Sequence, residues 1–284
     1  MARLELFART EVGCVRKRNE DQFLVVNLAT RQSGLQPHDR VQELTRAGTV
    51  IAVCDGMGGA AAGDVASDMA SKMIQRTMLE HTPFRDMAHA RQALLAAVTA
   101  ANQAILDFAA QDPMRHGMGT TMTAALLFDP ELIIAHVGDS RAYLRRGRTL
   151  TQLTTDHSIV GQLLAAGRLT PEQARNFEQR NVLLQALGVQ PRVAPEVVRT
   201  TLRAGDILML CSDGLTGPLP DDMILDIMLK FEDPVRCCRA LTEAACAAGG
   251  PDNITVAMTR LTGDGLELPR GREAVKIDRS QATA

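Results

Sequence analysis

Aromatic residues are scarce in this sequence. Its 284 residues include no Trp, one Tyr and seven Phe. Because the bases of single-stranded nucleic acids stack on aromatic side chains, we expect no such platform here. Lys and Arg (31 together) are balanced by Asp and Glu (33 together) and are dispersed along the chain. We therefore expect neither nucleic acid nor an anionic membrane as a partner.

Cysteine motifs and long apolar runs are also lacking. The N-terminal stretch alternates apolar and polar residues, without the uninterrupted apolar run of a signal peptide. We expect no later segment to supply the roughly 20 apolar residues of a membrane span. No CxxC spacing occurs, so we expect buried, reduced thiols rather than disulfides, and a cytoplasmic location. The six cysteines are Cys14, Cys54, Cys211, Cys237, Cys238 and Cys246.

Apolar residues make up 45% of the chain, enough for a sizeable core. Strand-like runs are predicted at 4–9, 22–27, 49–54, 119–128, 131–137, 141–145, 196–202, 206–211 and 253–261. Helical patterns are predicted at 60–81, 86–111, 156–181, 221–230 and 234–248. Helices in consecutive pairs between groups of strands argue against a doubly wound parallel sheet, in which strands and helices alternate one by one. The predicted fold is α+β, a four-layer α-β-β-α sandwich of two antiparallel sheets flanked by helix pairs.

The sequence shows no internal repeat and no low-complexity linker. We predict one domain over 1–262, with a flap inserted at about 156–188. The polar segment 263–284 is predicted to be a frayed tail. Asp129-Pro130 is predicted to form the turn between two of the strands.

Acidic residues recur at the ends of the apolar strand-like runs. Asp55, Asp139 and Asp213 end such runs, Asp252 precedes the last one, and Glu20 and Asp21 precede the second. Strand ends can converge on one rim of a sheet, and Mg²⁺ and Mn²⁺ prefer oxygen ligands. A single Asp-Gly is more often an ordinary turn. The recurrence of the pattern nevertheless predicts a two-metal site, to which the backbone carbonyl of Gly56 could contribute.

These motifs together resemble the metal-dependent type 2C protein phosphatases, from about residue 5 to 261. The resemblance lies in Arg16-Lys17-Arg18-Asn19-Glu20-Asp21, Asp55-Gly56-Met57-Gly58-Gly59 with Gly63, Gly119-Thr120-Thr121, Gly138-Asp139-Ser140-Arg141, Ser212-Asp213-Gly214-Leu215 and Asp252-Asn253-Ile254-Thr255. It implies a β-sandwich flanked by helices, with a binuclear Mn²⁺ or Mg²⁺ centre at one end.

The resemblance also implies residue roles. Asp55 would bridge the two metals, the Gly56 carbonyl would bind one of them, and Asp213 and Asp252 would bind the other. Glu20 would be a direct ligand more readily than Asp21. Asp139 with Asp213 resembles a third, labile metal site. Arg16 matches a phosphate-binding arginine, although in isolation it would be interpreted as a solvated basic residue.

The implied reaction is direct attack on phosphorus by a metal-bridging water, without a phosphoenzyme. Met57 stands where many members have a His, and a thioether cannot donate a proton. His157 is interpreted as structural, and Thr120, Thr121, Ser140 and Arg141 as supports of the strands that carry the aspartates. Leu184-Gln185 departs from the flap of bacterial relatives. Asp64 stands where Glu is usual.

Two other functions share these features: a two-metal phosphodiesterase and a catalytically inactive binding module. The phosphodiesterase would need a basic substrate groove, whereas the formal net charge is -2. We expect a monomer, and the resemblance implies that it acts on phosphorylated Ser and Thr proteins. It also implies a bacterial Ser/Thr kinase whose action the protein opposes.

Overall fold

Strands and helices follow one another in groups. The computed structural model describes residues 1–58, 62–128, 130–175, 177–179, 181–271 and 273–282. The strands there are β1 (Arg3–Glu11), β2 (Asp21–Asn27), β3 (Gln32–Ser33), β4 (Val41–Glu43), β5 (Thr49–Met57), β6 (Gly119–Thr120), β7 (Met122–Phe128), β8 (Glu131–Val137), β9 (Arg141–Arg146), β10 (Thr149–Gln152), β11 (Glu196–Thr201), β12 (Ile207–Cys211), β13 (Ile254–Thr262) and β14 (Asp278–Gln281). The helices are α1 (Gly63–His81), α2 (Met87–Ala110), α3 (Ile159–Ala165), α4 (Pro171–Arg175), α5 (Asp213–Thr216), α6 (Asp221–Lys230) and α7 (Pro234–Ala247).

The strands form two antiparallel sheets. The smaller sheet has the order β10-β9-β12-β13-β1-β4. The larger has the order β14-β11-β8-β7-β5-β2-β3, and β6 extends it by pairing with β5. The predicted fold class is confirmed.

Three apolar layers hold the sandwich together. One lies between the larger sheet and the helices α1 and α2, the second between the two sheets, and the third between the smaller sheet and α6 and α7. β5 contributes to two of them: Val50 and Ala52 face the helices, and Ile51 and Val53 face the other sheet. Since both faces of this strand are buried, its sequence is continuously apolar instead of alternating.

Helix α2 lies against α1 and the larger sheet. It has 24 residues, its most apolar 18-residue window has a mean hydropathy of 1.5, and among the described helices it is the one long and apolar enough to cross a membrane. The expectation that no segment reaches this length and composition is therefore wrong. Ala93, Val98 and Ile105 are fully buried in the layer against α1 and the sheet. This packing is that of a core helix.

Several predicted elements differ from those observed. The run 119–128 is divided at Thr121 into β6 and β7, and the helical stretch 156–181 contains two short helices, α3 and α4. Strands β3, β4, β10 and β14 were not expected. The predicted start of α1 at residue 60, Gly59, Asp129 and Arg180 lie outside the described residues.

The C-terminal segment is partly ordered, contrary to the expectation of a frayed tail. Strand β14 pairs antiparallel with β11, where Val198 lies opposite Arg279. Before it, Val275 and Ile277 pack against the layer between the sheets. Polar composition alone therefore misled the prediction, because backbone pairing along a sheet edge does not depend on apolar side chains.

Candidate metal centre

Two strands of the larger sheet bring Asp21 and Asp55 together. Strand β2 begins at Asp21, and β5 ends two residues after Asp55; the strands are antiparallel, with these two residues directly opposite each other. Opposed residues of an antiparallel pair lie roughly 4.5–5.5 Å apart at their Cβ atoms. Both carboxylates therefore lie at one end of the sheet.

The smaller sheet supplies groups to the same end. We call this end, with Asp21, Asp55 and the groups that the smaller sheet adds, the acidic rim. Strand β12 ends at Cys211, and Ser212 then donates a hydrogen bond of 2.7 Å from Oγ to Oδ2 of Asp21. The Oγ1 hydroxyl of Thr255, in β13, donates a second bond of 2.7 Å to the same oxygen. The residue after Ser212 is Asp213, so these bonds place the end of β12 beside Asp21.

Asn253 ties the loop of residues 12–20 to the start of β13. We call this segment the Arg16 loop. The amide nitrogen of Asn253 donates to the carbonyl oxygens of Val12 (2.9 Å) and Arg18 (2.8 Å), and its Oδ1 accepts from the backbone N–H of Glu20 (2.8 Å). No role for Asn253 was predicted, although it lies within one of the recognised motifs. Each of its polar side-chain atoms holds the Arg16 loop in place.

Arg16 lies at the exposed edge of the rim. Its Nη2 donates to Oδ2 of Asp252 over 2.7 Å, and its side chain is 52% exposed. This contact raises the pKa of the Arg16 guanidinium. A charged fork at the mouth of an acidic rim is well placed to meet an anionic group from solvent.

Gly56 is needed for close backbone packing beside Glu20. The Gly56 N–H donates to the carbonyl oxygen of Glu20 over 3.1 Å. A Cβ on Gly56 would collide with the carbonyl oxygens of Gly63 and Glu20, and a Cβ on Gly63 would lie 2.8 Å from Oε2 of Glu20. The carboxylate of Glu20 therefore faces the first turn of α1.

Hydroxyl groups support the turn that carries Asp139. Thr121 Oγ1 and Ser140 Oγ are hydrogen-bonded over 2.7 Å, and Thr121 Oγ1 also accepts the backbone N–H of Asp55 over 3.0 Å. Arg141 donates to Asp156 from Nε and Nη2, over 2.9 and 2.7 Å. The predicted supporting roles agree with these contacts. The two residues that follow Asp139, Ser140 and Arg141, are both fixed by these side-chain contacts.

Five carboxyl groups on the rim have raised pKa values. Burial is the largest cause in each case, followed for most of them by the neighbouring acids. The pKa of Asp21 is raised to about 7, with Asp213 and Asp252 contributing. The pKa values of Asp55 and Asp139 are raised well above the ordinary aspartate value, and those of Asp213 and Glu20 are also raised. These carboxyl groups therefore lie close to one another, and the positive charges near them do not offset their mutual repulsion.

The sequence and fold were compared with those of known proteins. The family model described as Protein phosphatase 2C matches residues 29–245. The chain belongs to this family. The phosphatase is 35% identical to the serine/threonine phosphatase stp of Listeria welshimeri over 266 residues, which cover 94% of this chain and 98% of that protein. It is also 35% identical over 264 residues to protein phosphatase PhpP of Streptococcus pneumoniae, covering 93% and 100% of the two chains.

A solved structure of a similar phosphatase contains metal ions. The catalytic domain of serine threonine protein phosphatase PstP, in complex with two manganese ions, matches with a TM-score of 0.77 and 35% identity. The match covers 93% of this phosphatase and 100% of that chain. The protein is accordingly a metal-dependent protein phosphatase of the bacterial type 2C group, that is, a phosphoric monoester hydrolase.

The acids of this phosphatase suit such cations by their chemistry. Their donors are all oxygen atoms, which Mn²⁺ and Mg²⁺ prefer. Oδ1 of the buried Asp21 has no hydrogen-bond partner within the described structure, so it retains a free lone pair at the rim. Among the described residues, which include all of these acids, no three Asp, Glu, His or Cys side chains are spaced as ligands of one ion. The rim therefore assembles the donors without forming a closed ligand shell.

All of the candidate site residues predicted from the sequence lie at or beside this rim. Their individual roles as ligands stay predictions. His157 is buried, in agreement with the structural role expected for it. Its backbone N–H donates to the carbonyl oxygen of Gly138 over 2.7 Å, and its ring Nδ1 accepts the backbone N–H of Gly138 over 3.3 Å. In the segment predicted to be a flap, Gln185 Oε1 accepts the backbone N–H of Ala194 over 2.7 Å, so this departure from the family pattern serves an internal contact.

Proposed function

We propose that this phosphatase removes phosphate from phosphoserine and phosphothreonine side chains of proteins at the acidic rim. The observation that carries the proposal is the position of Arg16: an exposed guanidinium at the edge of a cluster of carboxylates contributed by both sheets. The cluster can hold cations, and the guanidinium can hold a phosphoryl group beside them.

The chain offers a distinct set of groups for each ion. Asp55 and the Gly56 carbonyl would hold one ion, and Asp55, Asp213 and Asp252 the other, with Glu20 as a further ligand. Asp21, held by Ser212 and Thr255, would orient the bound waters. Asp139 with Asp213 would hold a third, labile ion. These residue roles, and the use of either Mn²⁺ or Mg²⁺, are part of the proposal.

Divalent cations lower the pKa of bound water to near neutrality and offset the charge of phosphoryl oxygens, which supports direct hydrolysis of the monoester. Arg16 would bind two phosphoryl oxygens through its fork, exchanging its contact with Asp252 for the substrate. Met57 has no proton to donate to the leaving alkoxide. Of the six cysteines, Cys54, Cys211, Cys237 and Cys238 are buried and so are unsuited to attack a protein substrate.

We further propose that the phosphatase acts as a monomer in the cytoplasm and opposes a Ser/Thr kinase. Reversible signalling by phosphorylated Ser and Thr needs both activities, and the family membership supplies one of them. Nucleic acid and membrane are not proposed as partners, in keeping with the balanced charge. Light scattering after size-exclusion chromatography checks the oligomeric state.

The catalytic proposal is tested by Mn²⁺-dependent phosphate release from a phosphothreonine peptide, measured beside cleavage of bis(4-nitrophenyl) phosphate. We expect hydrolysis of the peptide and a large loss of it in Asp213→Asn. The exposed Asp226, on α6, provides the matched control, because Asp226→Asn removes an equal charge away from the rim. Preference for the diester would contradict the proposal. A folded, metal-loaded protein inactive on both substrates would instead indicate a binding module.

A further inference from the structure

We infer that Cys14 and Cys246 form a disulfide when the phosphatase meets a peroxide, and that this bond restrains the Arg16 loop. The other four cysteines are buried, as predicted from the sequence, whereas Cys14 is exposed and Cys246 is half-buried, so that prediction is wrong for these two. Buried thiols are largely protected from oxidants in solution, and oxidation follows exposure. Cys14 and Cys246 are therefore the thiols that a dissolved oxidant can reach.

The two cysteines are in contact, although 232 residues separate them in the sequence. The Sγ of Cys14 donates to the carbonyl oxygen of Cys246 over 3.6 Å. Gly250 lies beside both: a Cβ built on it would be 2.9 Å from Cys14 Sγ and 3.2 Å from Cys246 Cα. After burial, the neighbouring Cys14 thiol is the next cause of a raised pKa at Cys246. This proximity is what disulfide formation requires.

Backbone contacts keep the Arg16 loop against the end of α7. The N–H of Cys14 donates to the carbonyl oxygen of Gly250 over 2.8 Å. Gly13 has φ of +80°, and a Cβ there would collide with the carbonyl oxygen of Asp252. The loop thus follows the turn after α7 closely, which keeps the side chain of Cys14 beside Cys246.

The chemistry is a two-electron oxidation. The Cys14 thiolate attacks an oxygen of hydrogen peroxide, the O–O bond breaks, and Cys14 sulfenic acid and hydroxide form. The Cys246 sulfur then attacks the Cys14 sulfur, an S–S bond forms, and the S–O bond breaks. The hydroxide released takes up the Cys246 proton as water. In sum, two thiols and one peroxide give a disulfide and two waters, and a dithiol reductant reverses the change.

The consequence concerns Arg16, two residues beyond Cys14. In the reduced protein Arg16 contacts Asp252, which itself lies two residues beyond Gly250. A bond between Cys14 and Cys246 would fix the two segments at this spacing and hinder the exchange of Asp252 for a phosphoryl group. This part of the inference depends on the proposed function of Arg16. We expect weaker substrate binding with a smaller change in turnover.

The test treats the Mn²⁺-loaded phosphatase with hydrogen peroxide, blocks free thiols with N-ethylmaleimide and maps the peptides without reduction. We expect a linked peptide pair containing Cys14 and Cys246, which dithiothreitol separates. The KM for a phosphothreonine peptide should rise by about tenfold, as expected for weakening of one charge-assisted contact, and recover after reduction. Cys14→Ser and Cys246→Ser should keep their KM after the same treatment.

Two results would overturn the inference. One is oxidation without a Cys14–Cys246 link, and the other is a linked enzyme whose KM equals that of the reduced enzyme. Failure of the proposed function is recognised separately, because an enzyme inactive on the peptide even when reduced would still report the link by mass spectrometry. Both serine variants lie outside the acidic rim, so their untreated activity should match that of the wild-type protein.

Discussion

The hydroxyl of Ser212, directly after β12 of the smaller sheet, donates a 2.7 Å hydrogen bond to the carboxylate of Asp21 in the larger sheet. The same oxygen of Ser212 accepts the backbone N–H of Thr255 over 3.0 Å. One small side chain thus joins β2, β12 and β13 at the acidic rim. Its loss would leave the buried backbone N–H of Thr255 without a partner, and Asp21 Oδ2 with only the bond from the Thr255 hydroxyl.

We predict that Ser212→Ala lowers the free energy of unfolding by about 1–3 kcal/mol, the usual cost of leaving a buried polar group unpaired. Chemical denaturation in urea measures this change. Ser33 in β3 is exposed, and Ser33→Ala should unfold as the wild-type protein does. Equal stability of the two variants would show that the bond to Asp21 contributes nothing net.

Divalent cations should stabilise the fold strongly. Burial and the neighbouring acids raise the pKa values of Asp55 and Asp213, so a cation that binds beside them relieves this repulsion in the folded state. At a cation concentration one hundred times Kd the gain is about 2.7 kcal/mol. Thermal unfolding with EDTA and with Mn²⁺ tests this expectation. Asp213→Asn should lose most of the increase in Tm, and Asp226→Asn should retain it.

Replacement of Arg16 should affect substrate binding. Arg16→Lys keeps the charge but not the fork, so we expect kcat/KM for a phosphothreonine peptide to fall by about 10- to 100-fold, mainly through KM. Steady-state kinetics at saturating Mn²⁺ separates KM from kcat. The neighbouring Lys17 is exposed, and Lys17→Ala serves as the control. A loss confined to kcat would assign Arg16 a different role.

His136 should make stability depend on pH. Burial is the main cause that lowers its pKa from 6.5 to about 3. Between these values the unfolded chain binds a proton that the folded protein does not, so stability falls as the pH falls below 6.5. The loss reaches about 2 kcal/mol at pH 5.

The measurement for His136 is urea denaturation at pH 7.5 and pH 5, in EDTA. We expect His136→Asn to be less stable than the wild-type protein at pH 7.5, because the contact with Thr123 changes. Its further loss at pH 5 should be smaller by about 2 kcal/mol. His116 is exposed, and His116→Asn should lose as much as the wild-type protein. An unchanged pH dependence in His136→Asn would contradict the prediction.

Gly56 should tolerate no side chain. Gly56→Ala would place a Cβ against the carbonyl oxygens of Gly63 and Glu20, both of which belong to backbone that cannot rotate away. We expect a loss of several kcal/mol and of Mn²⁺-induced stabilisation. Gly205 has a left-handed φ of +84° but open space at its Cβ position, so Gly205→Ala should cost only about 1–2 kcal/mol. Similar losses in both variants would refute the steric explanation.

The sequence allowed prediction of those parts of the fold in which apolar residues mark burial. Strand β5 is an example, since its residues from Val50 to Val53 fill two apolar layers. The acids at its end and at the end of β12 follow from the same reasoning. The motif order then indicated the family, which neither composition nor periodicity could have done.

Other features left no such mark. Strand β14 is exposed along its whole length, so nothing in its side chains distinguishes it from a loop. Strand β10 is short and only half-buried. Asn253 acts through three hydrogen bonds to backbone groups of a distant segment, and the contact between Cys14 and Cys246 likewise depends on tertiary structure. Such long-range pairings cannot be read from local sequence patterns.

The pairing of β14 with β11 bears on how the protein is shortened or tagged. Removal of everything after residue 262, where the predicted domain ends, would remove β14 from the edge of the larger sheet. The backbone N–H and C=O groups of β11 that pair with β14 would then be exposed. Unpaired strand edges attract the edges of other molecules. A fragment that ends at residue 262 would therefore have an unpaired edge strand, and we expect it to self-associate through that edge.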